Sequence, residues 1–153
     1  LKNEYIDSGK VRWVVRDMPL AFHANARNAG ESVHCANEQG KFWEMRDTLF
    51  KNSAKLGEED LRKYAGDVGL DVSAFDACLA SDRFLSEIDN DSAEAKRVGI
   101  TGTPTFVLGH AVDGKVKGPQ ILGAQPAAAA KRLHATRRSP PYRQPCRMNI
   151  ASR

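Results

Sequence analysis

The pattern of apolar and polar positions divides the chain into a long helical middle and two stretches with strand-like character. Between residues 22 and 98, apolar side chains recur at the spacing of a helix face, which predicts a block of amphipathic helices. Gly40 and Gly69 follow the first and third of these helices and favour their ends there. The predicted helices cover residues 22–39, 42–49, 58–68, 72–79 and 82–98.

Strand-like segments lie on either side of the helical block. Residues 11–16 have a continuous apolar core flanked by charged residues, which predicts a buried strand. Residues 105–108 and Gln120–Leu122 are predicted as two strands of a hairpin with its turn at Asp113-Gly114. A strand, a block of helices and then a hairpin indicate an α/β domain.

Pro104 lies between the helical block and the apolar run that follows it. Proline has no N–H to give to a sheet, so it belongs at the first residue of a strand, at an edge or at a bulge. We predict that the Thr103–Pro104 peptide bond is cis and that Pro104 begins a strand. In that form the main chain of Thr103 turns outward, free to pair with another chain. The alternative is an ordinary loop proline.

Four segments, in this order along the chain, resemble the DsbA-like thiol–disulfide oxidoreductase family. They are residues 7–20, 31–50 and 69–79, and the Gly-Thr-Pro-Thr-Phe loop at 102–106. The resemblance covers about residues 1–126. It implies a thioredoxin-like α/β fold in residues 1–133, with a helical subdomain inserted at about 22–98. A generic α/β domain would share the pattern without the chemistry.

Members of this family act through a Cys-x-x-Cys pair at the start of a helix, where the first thiol has a lowered pKa. This chain contains no such pair, because Cys35, Cys78 and Cys146 are far apart. The resemblance places the pair before a helix whose end corresponds to residues 1–8. We therefore expect an N-terminally truncated domain with no catalytic residue in this chain. We also expect the chain to be inactive in disulfide exchange.

Cys35 and Cys78 fall in the predicted helical insertion. Some members of the family carry a second cysteine pair at similar places, so the resemblance implies a structural disulfide between them. The alternative is two buried free thiols, since cysteine is often a small apolar core residue. Cys146 has no evident partner.

The resemblance also makes Thr103 and Pro104 the candidate substrate-binding residues. Pro104 would face the redox pair, and Thr103 would offer its main chain to a bound polypeptide. The expected partners are extended or unfolded protein substrates and a membrane redox partner, with no organic cofactor, in the periplasm or another extracytoplasmic space. An exposed sheet edge would also allow self-association with a second copy.

Composition narrows the remaining classes of function. The formal net charge is +4, but residues 131–153 hold seven basic residues and no acidic one. The rest of the chain has 16 basic against 19 acidic residues, so we expect no nucleic-acid partner. A final helix is predicted from about Pro126, and residues 134–153 are predicted to be a disordered basic tail. The scattered histidines, with His34-Cys35 as the one His/Cys doublet, predict no metal site.

Two other hypotheses compete with the oxidoreductase. The first is a redox-inactive thioredoxin-fold module that binds polypeptide through Thr103 and Pro104. The second is a relative of kappa-type glutathione transferases and isomerases, which share the inserted-helix scaffold and use no cysteine pair. A Cys-x-x-Cys pair encoded upstream would favour the oxidoreductase, and a serine in place of the first cysteine would favour the transferase. No signal peptide and no run of membrane-spanning length occurs in these 153 residues.

Overall fold

A computed structural model describes residues 2–112 and 115–136 of the 153, and the structural statements that follow concern those residues. The chain divides into two compact units. One comprises Arg16–Gly102, and the other combines the residues up to Val15 with those from Thr103 onward.

The Arg16–Gly102 unit is helical. Gly40 and Gly69 adopt positive φ values, 73° and 79°, which glycine accepts without a steric penalty, and each follows a helix end. Asp71 caps a helix start, since its carboxylate accepts a hydrogen bond from the Ala74 N–H at 3.0 Å. The helices are α1 (Ala26–Glu38), α2 (Phe42–Lys51), α3 (Glu58–Asp67), α4 (Val72–Leu79) and α5 (Leu85–Arg97).

The core of this unit is formed by the apolar faces that the sequence pattern predicts. Met45, Leu61, Phe75 and Ile88 are completely buried. Burying side chains of this size stabilises the fold by about 1.5–3 kcal/mol each, before the entropy cost of ordering them. The remaining buried apolar residues are Val33, Cys35, Ala36, Leu49, Tyr64, Ala65, Leu70 and Cys78.

The second unit combines a short N-terminal helical segment with two small antiparallel sheets and a C-terminal helix. Residues Lys2–Ile6 form a π-helical segment, and a turn follows it at Gly9, whose φ is 72°. The later elements are β1 (Thr105–Val107), β2 (His110–Val112), β3 (Lys115–Lys117), β4 (Gln120–Leu122) and α6 (Ala127–Thr136). Strand β1 pairs with β4, placing Thr105 opposite Leu122, and β2 pairs with β3.

The hairpin is longer than the sequence pattern predicts. The pattern predicts the outer strands, while β2 and β3 extend the hairpin as a second ladder. Gly109 and Gly118 separate the two ladders, and their backbones come so close that a Cβ on either would overlap the opposite chain. Only glycine fits such an approach. The predicted turn at Asp113-Gly114 lies outside the described residues.

One predicted strand is wrong, and two predicted helices begin later than expected. Residues 11–16 have no regular secondary structure, alternate between half-buried and exposed positions and pair with no described strand, so they are not a buried strand. An apolar run forms a strand only where a neighbouring strand offers hydrogen bonds. The first helix begins at Ala26, and Phe22, with 77% of its surface exposed, lies outside it. The fifth begins at Leu85, and Phe84 is its N-terminal flanking residue.

The C-terminal predictions are only partly within the described residues. Helix α6 begins at Ala127, as expected from the alanine run, and continues to Thr136. Residues 137–153, which include most of the predicted basic tail and Cys146, lie outside the described part of the chain.

Candidate functional site

Thr103 and Pro104 lie at the entrance to β1. The peptide bond between them is cis, and Pro104 immediately precedes the strand. The Pro104 carbonyl accepts a hydrogen bond from the Gly123 N–H at 2.8 Å, which extends the β1–β4 pairing by one step. Gly123 has a φ of 75°, so the return of the chain after β4 uses the conformational freedom of glycine. Pro104 is therefore anchored to the sheet.

At this junction, the main-chain groups of Thr103 remain available for hydrogen bonding. Its N–H and C=O groups make no hydrogen bond with any described residue. Its side chain is exposed, as is that of Pro104. Backbone groups without a protein partner are satisfied by water or by another chain. A second polypeptide in an extended conformation has the groups that would pair with them.

Apolar side chains surround this junction within the same unit. The Phe106 ring packs on Trp13, with ring centroids 5.8 Å apart and planes tilted by 57°. Phe106 remains 36% exposed, and Val14 and Val107 are 52% and 38% exposed. We call Thr103, Pro104, Phe106 and Val107 the β1 entry surface. It combines free main-chain groups with exposed apolar area.

Cys35 on α1 and Cys78 on α4 are joined by a disulfide, the pairing that the family resemblance implies. Their Cα atoms are 5.8 Å apart, within the range that a disulfide spans. Each residue is only 1% exposed. Thiol–disulfide exchange needs access for an attacking thiolate, so this buried bond is suited to holding α1 and α4 together and not to exchange.

A polar cluster that the sequence pattern did not reveal lies inside the helical unit. The His34 Nε2 and Asp17 Oδ2 atoms are 2.7 Å apart. Asp91 on α5 accepts from the Asp17 N–H at 3.0 Å and from Arg16 at 2.7 Å. The hydrogen bond with Asp17 raises the pKa of His34 above its usual value, against the opposing effect of burial.

Glu31, one turn before His34 on α1, is 3% exposed. Burial raises the pKa of its carboxyl group, and repulsion from Asp82 acts in the same direction. Its Oε1 atom has no hydrogen-bond partner among the described residues. A carboxyl group with one unpartnered buried oxygen is more easily accommodated when it is protonated.

The thioredoxin family model matches residues 1–122, four fifths of the chain. The chain belongs to the thioredoxin family. This agrees with the predicted α/β thioredoxin-like fold, and the structure has the helices and small antiparallel sheets expected of it.

The similar curated proteins are much longer than this chain. The Na+/H+ antiporter NhaA 3 of Salinispora tropica is 36% identical over 136 residues, which cover 88% of this chain and 20% of the antiporter. The Na+/H+ antiporter NhaA 1 of Salinispora arenicola is 37% identical over 103 residues, which cover 67% of this chain and 16% of the antiporter. The chain thus spans a fifth or less of these relatives. No solved structure matches it.

Two further observations bear on this member of the thioredoxin family. None of the helices within residues 2–112 and 115–136 has the length and apolar character needed to cross a bilayer. Within the same residues, no three His, Cys, Asp or Glu side chains are grouped so as to hold a metal ion.

Proposed function

We propose that this chain is the substrate-contacting part of a DsbA-like thiol–disulfide oxidoreductase that acts on extracytoplasmic proteins. The observation that carries the proposal is the unpartnered main chain of Thr103 at the entry to β1. Membership of the thioredoxin family supports it, because the fold is of the thiol–disulfide oxidoreductase type.

The contact with substrate is a short strand addition. The Thr103 N–H donates to a carbonyl of the bound polypeptide, and the Thr103 C=O accepts from one of its N–H groups. Phe106 and Val107 offer exposed apolar area beside these groups. Recognition through the main chain requires an extended segment and reads little of its sequence. The preferred substrates are therefore unfolded or partly folded proteins.

The chemical step is dithiol–disulfide exchange. A thiolate attacks one sulfur of a substrate disulfide, a mixed disulfide forms, and the second substrate sulfur leaves as a thiolate. A resolving thiol then attacks the mixed disulfide, so the enzyme pair is oxidised and the substrate is reduced. The reverse sequence oxidises a substrate. The two electrons that one dithiol loses are gained by the other disulfide, so the exchange needs no organic cofactor and we assign none.

The attacking thiol has to come from outside these 153 residues. Cys35 and Cys78 are bonded to each other and buried, and Cys146 has no second cysteine close by in sequence. The role assigned to this chain is accordingly to hold the substrate, with Thr103 and Pro104 facing a redox pair that this sequence does not contain.

A second candidate is suggested by the relatives. They are named Na+/H+ antiporters, and the match covers nearly all of this chain but only a fifth of the Salinispora tropica protein. We propose as an alternative that the chain is the thioredoxin-type part of an antiporter-like membrane protein. The antiporter part would then be joined to it covalently. Translating the gene on both sides of this sequence tests for such a part and for an upstream Cys-x-x-Cys pair.

The test of the main proposal is an NMR titration of the 15N-labelled chain with S-carboxymethylated insulin B chain, an extended polypeptide without thiols. We expect saturable shifts of the amide signals from Gly102 to Phe106. Thr103→Pro removes the donating N–H and should weaken binding about fivefold, the worth of one hydrogen bond. Thr101→Pro removes an N–H two residues earlier and serves as the matched control.

Other results would contradict the proposal. Absence of shifts around Thr103, or equal effects of the two proline variants, would remove the strand-addition contact. Shifts with reduced glutathione and none with the polypeptide would favour the kappa-type transferase. Polypeptide binding by a full-length protein that lacks a cysteine pair would favour the redox-inactive module.

We also propose that the chain can associate with itself through an outer edge of the β1–β4 sheet. A sheet of two strands has an outer edge on each of them, and such edges can pair with another copy. Sedimentation velocity over a range of concentrations tests this. A sedimentation coefficient that stays at the monomer value at every concentration would contradict it.

A further inference from the structure

Arg16 and Asp17 begin the helical unit, and the chain after them has no regular secondary structure until α1 starts at Ala26. A segment of this kind can leave the surface of the unit without unwinding a helix. Its attachment to the helices includes polar contacts in which four side chains take part, those of Arg16, Asp17, His34 and Asp91.

The contacts form a connected network. Asp91 on α5 accepts from the Asp17 N–H through Oδ2, at 3.0 Å, and from the Arg16 guanidinium through Oδ1, at 2.7 Å. Asp17 in turn contacts His34 on α1, at 2.7 Å between Oδ2 and Nε2. The His34 ring is fixed by stacking on Phe84, with centroids 5.2 Å apart. One short segment is thus held by two different helices.

The His34, Asp17 and Asp91 side chains are largely shielded from water, whereas the Arg16 side chain is 64% exposed. Side-chain exposure is 8% for Asp91, 15% for His34 and 22% for Asp17. Gly30 leaves room for the Asp17 carboxylate, because a Cβ there would lie 3.2 Å from its Oδ1 atom. Partial burial strengthens the attraction between His34 and Asp17 relative to an exposed pair.

The charges facing His34 are mainly negative. They come from Asp17 in the segment before α1 and from Glu87 and Asp91 on α5, whereas burial raises the pKa of Glu31, on the same helix as His34, and favours its neutral form. The Arg16 guanidinium is the positive group in the network, and it is bound to Asp91. A proton on His34 is therefore favoured by Asp17 and by the acidic residues of α5, and burial of the ring opposes it.

We propose that Asp17, His34 and Asp91 form a pH-sensitive latch that fastens Arg16 and Asp17 onto helices α1 and α5. With His34 protonated, the His34–Asp17 contact is an ion pair as well as a hydrogen bond. With His34 neutral, only an ordinary hydrogen bond remains, while the Arg16–Asp91 pair is unchanged. The segment then opens more often.

The direction of the effect follows from the pKa of His34, which the hydrogen bond with Asp17 raises. A folded-state pKa above the unfolded value means that the extra stability is fully present below about pH 6.5, the ordinary value for histidine. It is lost as the pH rises through the higher folded-state value. The latch is closed in mildly acidic solution and loosens in alkaline solution.

The test is hydrogen exchange at the Asp17 amide, the N–H that Asp91 accepts. Its protection factor, which corrects for the intrinsic effect of pH on exchange, reports how often the segment opens. We expect the factor to fall about fivefold between about pH 6 and about pH 8.5, as the charge assistance of one hydrogen bond is lost. His34→Gln, which keeps a donor but cannot become charged, should make the factor independent of pH.

The matched control is His23→Gln, because His23 is exposed and lies outside the network. In this variant the protection factor of the Asp17 amide should show the same pH dependence as in the wild type. A wild-type protection factor that does not change with pH would overturn the proposal, and so would an unchanged dependence in His34→Gln. If His34→Gln does not fold, NMR titration of the wild-type His34 ring decides: a pKa at or below the ordinary histidine value overturns the latch.

Discussion

Asp91 is a single buried carboxylate that joins two parts of the helical unit, residues 16–17 and α5, through hydrogen bonds. It lies three residues after the buried Ile88 on the same face of α5, and its side chain is 8% exposed. One of its oxygens accepts a hydrogen bond from the Arg16 guanidinium, and the other accepts one from the Asp17 N–H. The spacing of Ile88 and Asp91 is a sign of this role, because residues three apart on a helix lie on the same face. The partner could not be predicted, because Asp17 is 74 residues away.

We predict that Asp91→Ala lowers the free energy of unfolding by about 2–4 kcal/mol, because it leaves the Asp17 N–H and the Arg16 guanidinium without their acceptor. Asp89→Ala on the same helix is the matched control. Asp89 also pairs with an arginine, Arg27, but it is 59% exposed, so the loss of stability should be much smaller than for Asp91→Ala. Urea unfolding followed by circular dichroism measures both values. Equal losses in the two variants would contradict the assigned role of Asp91.

At the scale of elements, the helices and the two outer strands of the hairpin were predicted well, and the strand at residues 11–16 was predicted wrongly. Helix α4 has the predicted bounds, and the ends near Gly40 and Gly69 are as expected, because helix signals are local in sequence. Residues 11–16 have the composition of a strand, but a strand also requires a partner that local sequence does not specify. The glycines at 109 and 118 marked a close backbone approach that composition alone did not reveal.

The link between α1 and α4 leads to a second stability prediction. The Cys35–Cys78 disulfide closes a loop with a sequence separation of 43, for which the chain-entropy relation gives about 4 kcal/mol. We expect Cys35→Ala with Cys78→Ala to lower the free energy of unfolding by about 2–5 kcal/mol, measured by guanidinium unfolding without reductant. Dithiothreitol should shift the unfolding midpoint of the wild type and leave that of the double variant unchanged. Cys146→Ala is the control and should behave as the wild type; identical midpoints for all three proteins would show that the bond does not stabilise the fold.

At the scale of the whole molecule, the protein family was the feature that the sequence predicted best. The order of the segments up to the Gly-Thr-Pro-Thr-Phe loop resembled a thioredoxin-fold family, and the family comparison places residues 1–122 in it. The candidate site could be predicted from the sequence only in part. Thr103 and Pro104 were identified from the resemblance, whereas the unpartnered main chain of Thr103 is a property of the folded backbone. The limits of the two predicted domains stay a prediction.

The central claim is that this chain holds the substrate of a disulfide exchange whose reactive thiols lie outside its sequence. The most direct measurement is the reduction of insulin by dithiothreitol, followed by turbidity. This chain is compared with a version extended by the coding sequence upstream of Leu1. We predict that the chain alone reduces insulin no faster than dithiothreitol does, and that an extended protein containing a Cys-x-x-Cys pair is clearly faster. Equal and substantial activity in both proteins would contradict the account, because the redox centre would then lie within these 153 residues.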